Sequence, residues 1–193
     1  GAKPYDPTRL ERFGYGASAD VITSTELEQM LLEDELYCPS DGRKPSRVVF
    51  IQCAGSRDPE HLPYCSSECC ATTLRQVTEL RAVAPDVEAA VVYRDMRTPG
   101  QMEHFYLGVQ SMSGVLMTRG EIDSVQANGK ITVQLRDSLL GDAAALEADL
   151  VVLATGMVPN SADGESIRAL IDARQRAEHG ESETQRKEAA ALA

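Results

Sequence analysis

Arg47-Val48-Val49-Phe50-Ile51-Gln52 is a short, continuous apolar run bounded by turn residues. Such a run predicts a strand buried on both faces of a parallel sheet. Outward from it, helical and strand patterns alternate. Residues 65–82 place Leu74, Val77 and Leu80 on one helix face. Val87–Tyr93 (VEAAVVY) reads as a second strand, Pro99-Gly100 opens a helix over 101–112, and Val115–Thr118 reads as a short third strand. Ile122–Val125 and Ile131–Leu135 flank Asn128-Gly129, a hairpin turn signal. Asp149–Ala154 (DLVVLA) is a last buried strand. This order predicts an α/β fold with a parallel sheet of nucleotide-binding type and one antiparallel hairpin excursion. Strands 47–52 and 149–154 are both expected inside it.

The flanks are polar. Residues 1–22 carry Pro4, Pro7, Gly14 and Gly16 without an apolar period, which reads as a connector. Thr23 and Glu26 match a capping box ahead of a helix over about 25–35, with Leu27, Met30, Leu31 and Asp34 on one side. Residues 38–46 form a loop. Beyond Ser161 the chain is rich in Ala, Glu, Arg and Gln, which predicts a weak helix at 165–178 and a solvated tail. The expected organisation is a connector with one helix at 1–46, an α/β domain at 47–160 and a polar helical tail at 161–193. The chain opens at Gly1 on a turn-rich stretch, as though cut from a longer protein.

The formal net charge of -11 argues against a nucleic-acid binder, which needs a basic footprint to displace counterions. It also argues against docking on anionic lipid. No apolar run approaches the roughly 20 residues of a membrane span. Five cysteines without an export signal predict a cytoplasmic protein, where thiol or metal chemistry outweighs disulfides.

Cys53, Cys65, Cys69 and Cys70 fall within 18 positions. Cys53 is expected just past the first buried strand, and Cys65, Cys69 and Cys70 at the start of the following helix. Positions 65 and 69 would then share a helix face, beyond the carboxyl ends of the strands, where open α/β sheets bind ligands. A helix N-terminus suits thiolates. Structural zinc takes four sulfurs around one ion, which adjacent Cys69 and Cys70 supply awkwardly. A cubane offers separated corners. The spacing favours a [4Fe–4S] cluster and leaves zinc open. Cys38 stands apart and reads as a solvent-side or partly buried thiol, with a ligand swap with Cys53 as the lesser alternative.

Nucleotide signals are weaker. Gly14, Gly16 and Ala19 match G-x-G-x-x-[GA] literally, but neither precede a helix nor follow a strand, as the dinucleotide fingerprint requires. Cys53–Asp58 occupies the place of the phosphate loop, so no nicotinamide binding is expected. Ala154-Thr155-Gly156 closes a buried strand as in two-dinucleotide-domain flavoproteins. The three histidines are scattered, and Asp95 and Arg97 read as a loop pair.

Phe50-Ile51-Gln52-Cys53-Ala54-Gly55-Ser56-Arg57-Asp58, His61-Leu62-Pro63-Tyr64-Cys65-Ser66 and Cys69-Cys70 together closely resemble the FAD-binding iron–sulfur subunit of heterodisulfide reductase. The wording His61–Cys65 and Asp95–Gly100 resembles more closely still the matching flavin and iron–sulfur subunit of the quinone-interacting membrane-bound oxidoreductase. Gly1–Pro7 resembles the stretch after that family's first flavin-contacting Thr-Gly turn, and Ala154–Asn160 resembles its second such turn. The resemblance covers residues 1–160. It implies the second domain of a thioredoxin-reductase-like fold, with junctions to an FAD domain whose glycine fingerprint lies upstream. It implies that Cys53, Cys65, Cys69 and Cys70 hold a [4Fe–4S] cluster and that Thr155, Gly156 and Met157 contact FAD in the intact subunit. It further implies electron transfer to other subunits of a redox complex, with a quinone-linked membrane subunit reached indirectly and menaquinol connected to adenylylsulfate reductase. The rivals are a docking domain with zinc-bound or free cysteines and a pyridine-nucleotide-disulfide oxidoreductase domain.

Overall fold

A computed structural model describes residues 1–160 and 168–173. The chain divides into two compact units, Tyr5–Gly156 and a smaller one made of Gly1–Pro4 with Met157–Ala193. In the smaller unit, β1 (Ala2–Pro4) pairs antiparallel with the strand Met157–Pro159. Residues 168–173 are helical; the rest of the predicted helix at 165–178, and the tail, lie outside the described residues.

In the larger unit, two 3-10 turns at Pro7–Arg9 and Glu11–Phe13 lead into β2 (Val21–Thr23) and α1 (Ser24–Leu32). There follow β3 (Arg47–Ala54), α2 (Cys69–Val83), β4 (Glu88–Tyr93) and α3 (Met102–Gln110). A meander of β5 (Val115–Asn128), β6 (Lys130–Asp137) and β7 (Ala143–Ala148) precedes β8 (Leu150–Thr155). The strand Met157–Pro159 is β9. Seven strands form one sheet in the order β2-β8-β3-β4-β5-β6-β7. The first five run parallel, and the last three are joined antiparallel.

Strands β3 and β8 are internal neighbours, as their apolar runs require: every β8 residue is buried, and Val48 to Ile51 are fully so. One face of the sheet packs Val48, Phe50, Val91, Leu150 and Val152 against Leu27, Leu74, Val77 and Leu80 of α1 and α2. No described helix is long and apolar enough to cross a membrane. The capping box of α1 is complete: Glu26 N–H donates to Thr23 Oγ1 at 3.3 Å, and Thr23 N–H donates back to Glu26 Oε2 at 2.6 Å.

Four expectations are corrected. Val21–Thr23 joins the sheet beside β8, because three residues suffice for a parallel edge but are too few to show a period. Asp34 falls beyond α1 at a positive φ and is exposed. β5 does not stop at Thr118; it runs on into the hairpin as one strand. The third meander strand, Ala143–Ala148, is rich in alanine and carries no β-branched signal.

Asp149 ties the starts of β3 and β8 together. Its Oδ2 accepts from Ser46 N–H at 2.8 Å and Arg47 N–H at 3.0 Å, and its Oδ1 from Arg43 at 3.1 Å. Burial pushes its pKa up, but these three donors outweigh burial and hold it below the usual carboxylate value. A folded pKa below the unfolded one stabilises above about pH 4 and is lost as pH falls through the folded value. Asp149→Asn keeps the shape and removes the charge assistance. It is expected to cost about 1–1.5 kcal/mol at pH 7 and less near pH 3, where part of that contribution is already lost. Urea melts at both pH values check this; an equal loss at both would show that the carboxylate charge is irrelevant.

Candidate functional site

The carboxyl ends of β3 and β8 lie side by side, with Ala54 paired to Thr155. Between Ile51 and Ala54 the register slips, and Cys53 sits at the slip with φ 55°. A bulge of this kind re-aims one side chain of an otherwise regular strand. From Gly55 the chain loops out and returns: Leu62 N–H donates to Gly55 O, Asp58 N–H to Leu62 O and Arg57 N–H to Tyr64 O. Gly55 has φ +80°, and a Cβ there would stand 3.0 Å from the Tyr5 ring and 3.2 Å from Leu10. The open side of this glycine is therefore filled by the chain's own side chains, not turned toward a phosphate.

The helix that follows begins later than its sequence suggests. α2 starts at Cys69, with Glu68 as an N-cap that makes no side-chain capping bond. Cys65 therefore lies in the loop, and the expectation that Cys65 and Cys69 share a helix face is overturned. Ser67, at φ 63°, turns the chain between them, and its N–H donates to Cys65 Sγ at 3.4 Å. Cys69 and Cys70 occupy the first turn of α2, Cys70 buried and Cys69 partly so.

These elements bring the four cysteines into one neighbourhood, where each of three sulfurs is raised by burial first and by its fellows next. Cys69 is pushed up to about 12 by burial, then by Cys53, Cys70 and Cys65. Cys53 is raised by burial and then by Cys70, with Arg57 opposing. Cys70 is raised by burial, with the Arg97 backbone N–H opposing and Cys65 adding to the rise. As thiols they find carbonyls: Cys69 Sγ donates to Thr155 O at 3.4 Å and Cys70 Sγ to Asp95 O at 3.9 Å. Among the described residues, no three His, Cys, Asp or Glu close on a single metal-ion position.

Sequence reasoning missed two features of this site. Of the non-glycine residues described with positive φ, Cys53, Arg57 and Ser67 all belong to it, with only Asp34 elsewhere, and strained backbone gathers where function over-determines it. Buried polar atoms without a partner gather there too: both amide atoms of Gln52, Ser56 Oγ and Arg57 Nη1. Neither has a signature in residue type. The pairing of Asp95 is also corrected. Its carboxylate takes Arg57 at 2.8 Å and Arg119 at 3.4 Å, instead of Arg97.

Thr155 and Gly156 close the other side. A Cβ at Gly156 would lie 2.0 Å from Ser56 Oγ and 2.8 Å from Leu62 Cδ1, so backbone and loop meet without room for a side chain. Tyr5 N–H donates to Gly156 O at 2.7 Å. Met157 falls in the smaller unit, as the first residue of β9. Cys38, expected on the solvent side or partly buried, is instead fully buried at the opposite end of β8, donating to Asp149 O at 3.7 Å, with burial raising its pKa to about 11.

No protein-family model matches the chain. It is similar to an iron-sulfur subunit of the CoB–CoM heterodisulfide reductase of Methanopyrus kandleri, 41% identical over 169 residues that make up 82% of this chain and 26% of that protein. A subunit of the H(2):CoB-CoM heterodisulfide,ferredoxin reductase of Methanothermobacter marburgensis is 39% identical over 168 residues, 82% of this chain and 26% of that protein. The chain thus spans about a quarter of the length of these curated relatives. Among solved structures, the L-lysine 6-monooxygenase of Pseudomonas syringae superimposes with a TM-score of 0.55 at 13% identity, over 89% of this chain and 47% of that one. The thioredoxin reductase of Giardia duodenalis does so with a TM-score of 0.50 at 13% identity, over 83% and 43%. At such identities the likeness is one of fold, and it is thioredoxin-reductase-like.

Proposed function

We propose that this chain, similar over about four-fifths of its length to an iron-sulfur subunit of the CoB–CoM heterodisulfide reductase of Methanopyrus kandleri, is an electron-transfer domain whose Cys53, Cys65, Cys69 and Cys70 hold a [4Fe–4S] cluster. The observation that carries this reading is the gathering of Cys53 on the β3 bulge, Cys65 on the following loop, and Cys69 and Cys70 in the first turn of α2, beyond the ends of β3 and β8. Four thiolates there would be intolerable alone, and a cationic iron–sulfur core relieves both their repulsion and their desolvation. The donor set is all sulfur, which suits a cluster. The unpartnered donors of Gln52, Ser56 and Arg57 suit a group rich in acceptor sulfur. Adjacent Cys69 and Cys70 favour a multi-cornered group over one zinc ion.

Such a cluster supplies one-electron transfer when bound. The protein's part is to position and to shield. The bulge at Cys53 and the turn at Ser67 aim two elements at one place. Leu62 and Ala54, on the same loop and strand end, are buried, and Cys69 is bonded to Thr155 O at the end of β8. In the intact protein, the turn at Thr155 and Gly156 would face FAD. Electrons would then pass between flavin, cluster and other subunits of a redox complex, associated with a membrane only through those partners. The wording of His61–Cys65 and Asp95–Gly100 supports the quinone-linked version, which joins menaquinol to adenylylsulfate reductase.

Anaerobic purification, or reconstitution with iron and sulfide, followed by visible absorption and by iron and zinc analysis, tests the proposal. About four irons per chain with the broad visible band of a cluster is the expected result. One zinc per chain, or no metal after reconstitution, would refute it.

A further inference from the structure

We propose that Arg57 is a positioning and tuning residue for this site: its guanidinium, clamped through Nη2 by Asp95, presents Nη1 as a hydrogen-bond donor to the sulfur of the cluster beside Cys53. The inference rests on the cluster reading above and goes beyond it in assigning the residue that sets how readily the site takes an electron.

Three observations carry it. Arg57 Nη1 is buried and has no hydrogen-bond partner. A buried guanidinium N–H without an acceptor is costly, and such an orphan asks for one. The side chain is not free to seek it elsewhere: Nη2 is bonded to Asp95 at 2.8 Å, and Asp95 is held in turn by Arg119 at 3.4 Å. The backbone is committed too, since Arg57 stands at φ 57°, its N–H donates to Tyr64 O at 3.0 Å and its carbonyl accepts from Arg94 Nη1 at 3.0 Å. A long cationic side chain at a strained position, held at both ends, is a costly device unless its buried Nη1 donors are used. The Cys53 sulfur lies within side-chain interaction range of this guanidinium.

The physics fixes the sign. A cluster gains negative charge on reduction. A fixed cation donating a hydrogen bond to its sulfur stabilises the reduced form, and hydrogen bonds to the sulfurs are among the determinants of cluster potential. Arg57 therefore raises the potential. Glutamine at 57 removes the charge. Lysine at 57 keeps a charge, but its single ammonium is drawn to Asp95 and cannot also serve as a fork.

The test is a redox titration of the reconstituted chain, followed by visible absorption and EPR, on wild type, Arg57→Gln and Arg57→Lys, with iron content and melting temperature measured alongside. The expected result is unchanged iron and a midpoint shifted negative by tenfold in the reduction equilibrium, 59 mV for one electron, in Arg57→Gln, with a smaller shift of the same sign in Arg57→Lys. If Arg57→Gln fails to fold, the lysine variant decides by the same sign. Full iron with an unshifted potential in the variant measured overturns the role of Arg57 and leaves the cluster standing. A wild-type chain that takes up no iron overturns both.

Discussion

Cys69→Ser is expected to abolish iron binding, lowering the affinity of the reconstituted site by more than about 100-fold, since even changes behind the ligands cost 10–100-fold. The Cys69 thiol is pushed up to about 12, by burial first and then by the other three. It also lies in the first turn of α2, bonded across to Thr155 O at 3.4 Å. Serine preserves that bond and the helix start, so the fold should survive while the soft, anionic ligand is lost. Cys65→Ser, on the loop, should act alike. Cys38→Ser supplies the contrast. That thiol is fully buried at the other end of β8, and its replacement should leave iron content untouched. Iron per chain and the visible band report the outcome. Full iron in both Cys69→Ser and Cys65→Ser would remove the quartet from consideration.

Gly156→Ala is expected to destabilise the larger unit by about 3 kcal/mol, the upper range for overpacking, or roughly 6–12 °C in melting temperature for a chain of this size. The added methyl would stand 2.0 Å from Ser56 Oγ, 2.8 Å from Leu62 Cδ1 and 3.0 Å from Ser66 Oγ. Ser56 and Leu62 are both buried, so neither can swing out to solvent. The glycine itself is tethered, with its carbonyl accepting from Tyr5 at 2.7 Å. Ser56→Ala removes the closest clashing atom. Combined with Gly156→Ala, it should recover part of the loss, a coupling that a double-mutant cycle measures. A melt of Gly156→Ala within about 2 °C of wild type, well short of the overpacking range, would mean that loop and strand part more easily than their packing implies. The same pair of surfaces forms the wall behind Cys69, so the variant should also weaken iron retention.

The elements behind these two effects differ in how legible they are in the sequence. The β3 and β8 runs are readable because burial on both faces demands unbroken apolar residues. The α1 cap is readable because Thr23 and Glu26 must be those residue types at that spacing to satisfy each other's amides. The cysteine spacing announces a site by composition alone. The start of α2 is not readable. Residues 65–68 are small and polar enough to enter a helix, and what stops them is Ser67 at φ 63° and the return of the loop onto Tyr64 and Leu62. Val21–Thr23 and Ala143–Ala148 escape notice because edge strands owe their state to the neighbour they pair with, not to their own composition.

Local pattern thus determined the parallel sheet, two of its internal strands, the helix cap and the identity of four thiols. These features are encoded by periodicity, capping chemistry and residue type, which act over a few residues. Tertiary structure decided where those thiols meet. The bulge at Cys53 exists only because β3 slips against β8 between Ile51 and Ala54. Gly156 is required only because Ser56 and Leu62 come to lie over it. Arg57 acquires its part only because Asp95, 38 positions on, takes one arm of its guanidinium. Each depends on contacts between residues distant in the chain, and such contacts leave no period or spacing to be read.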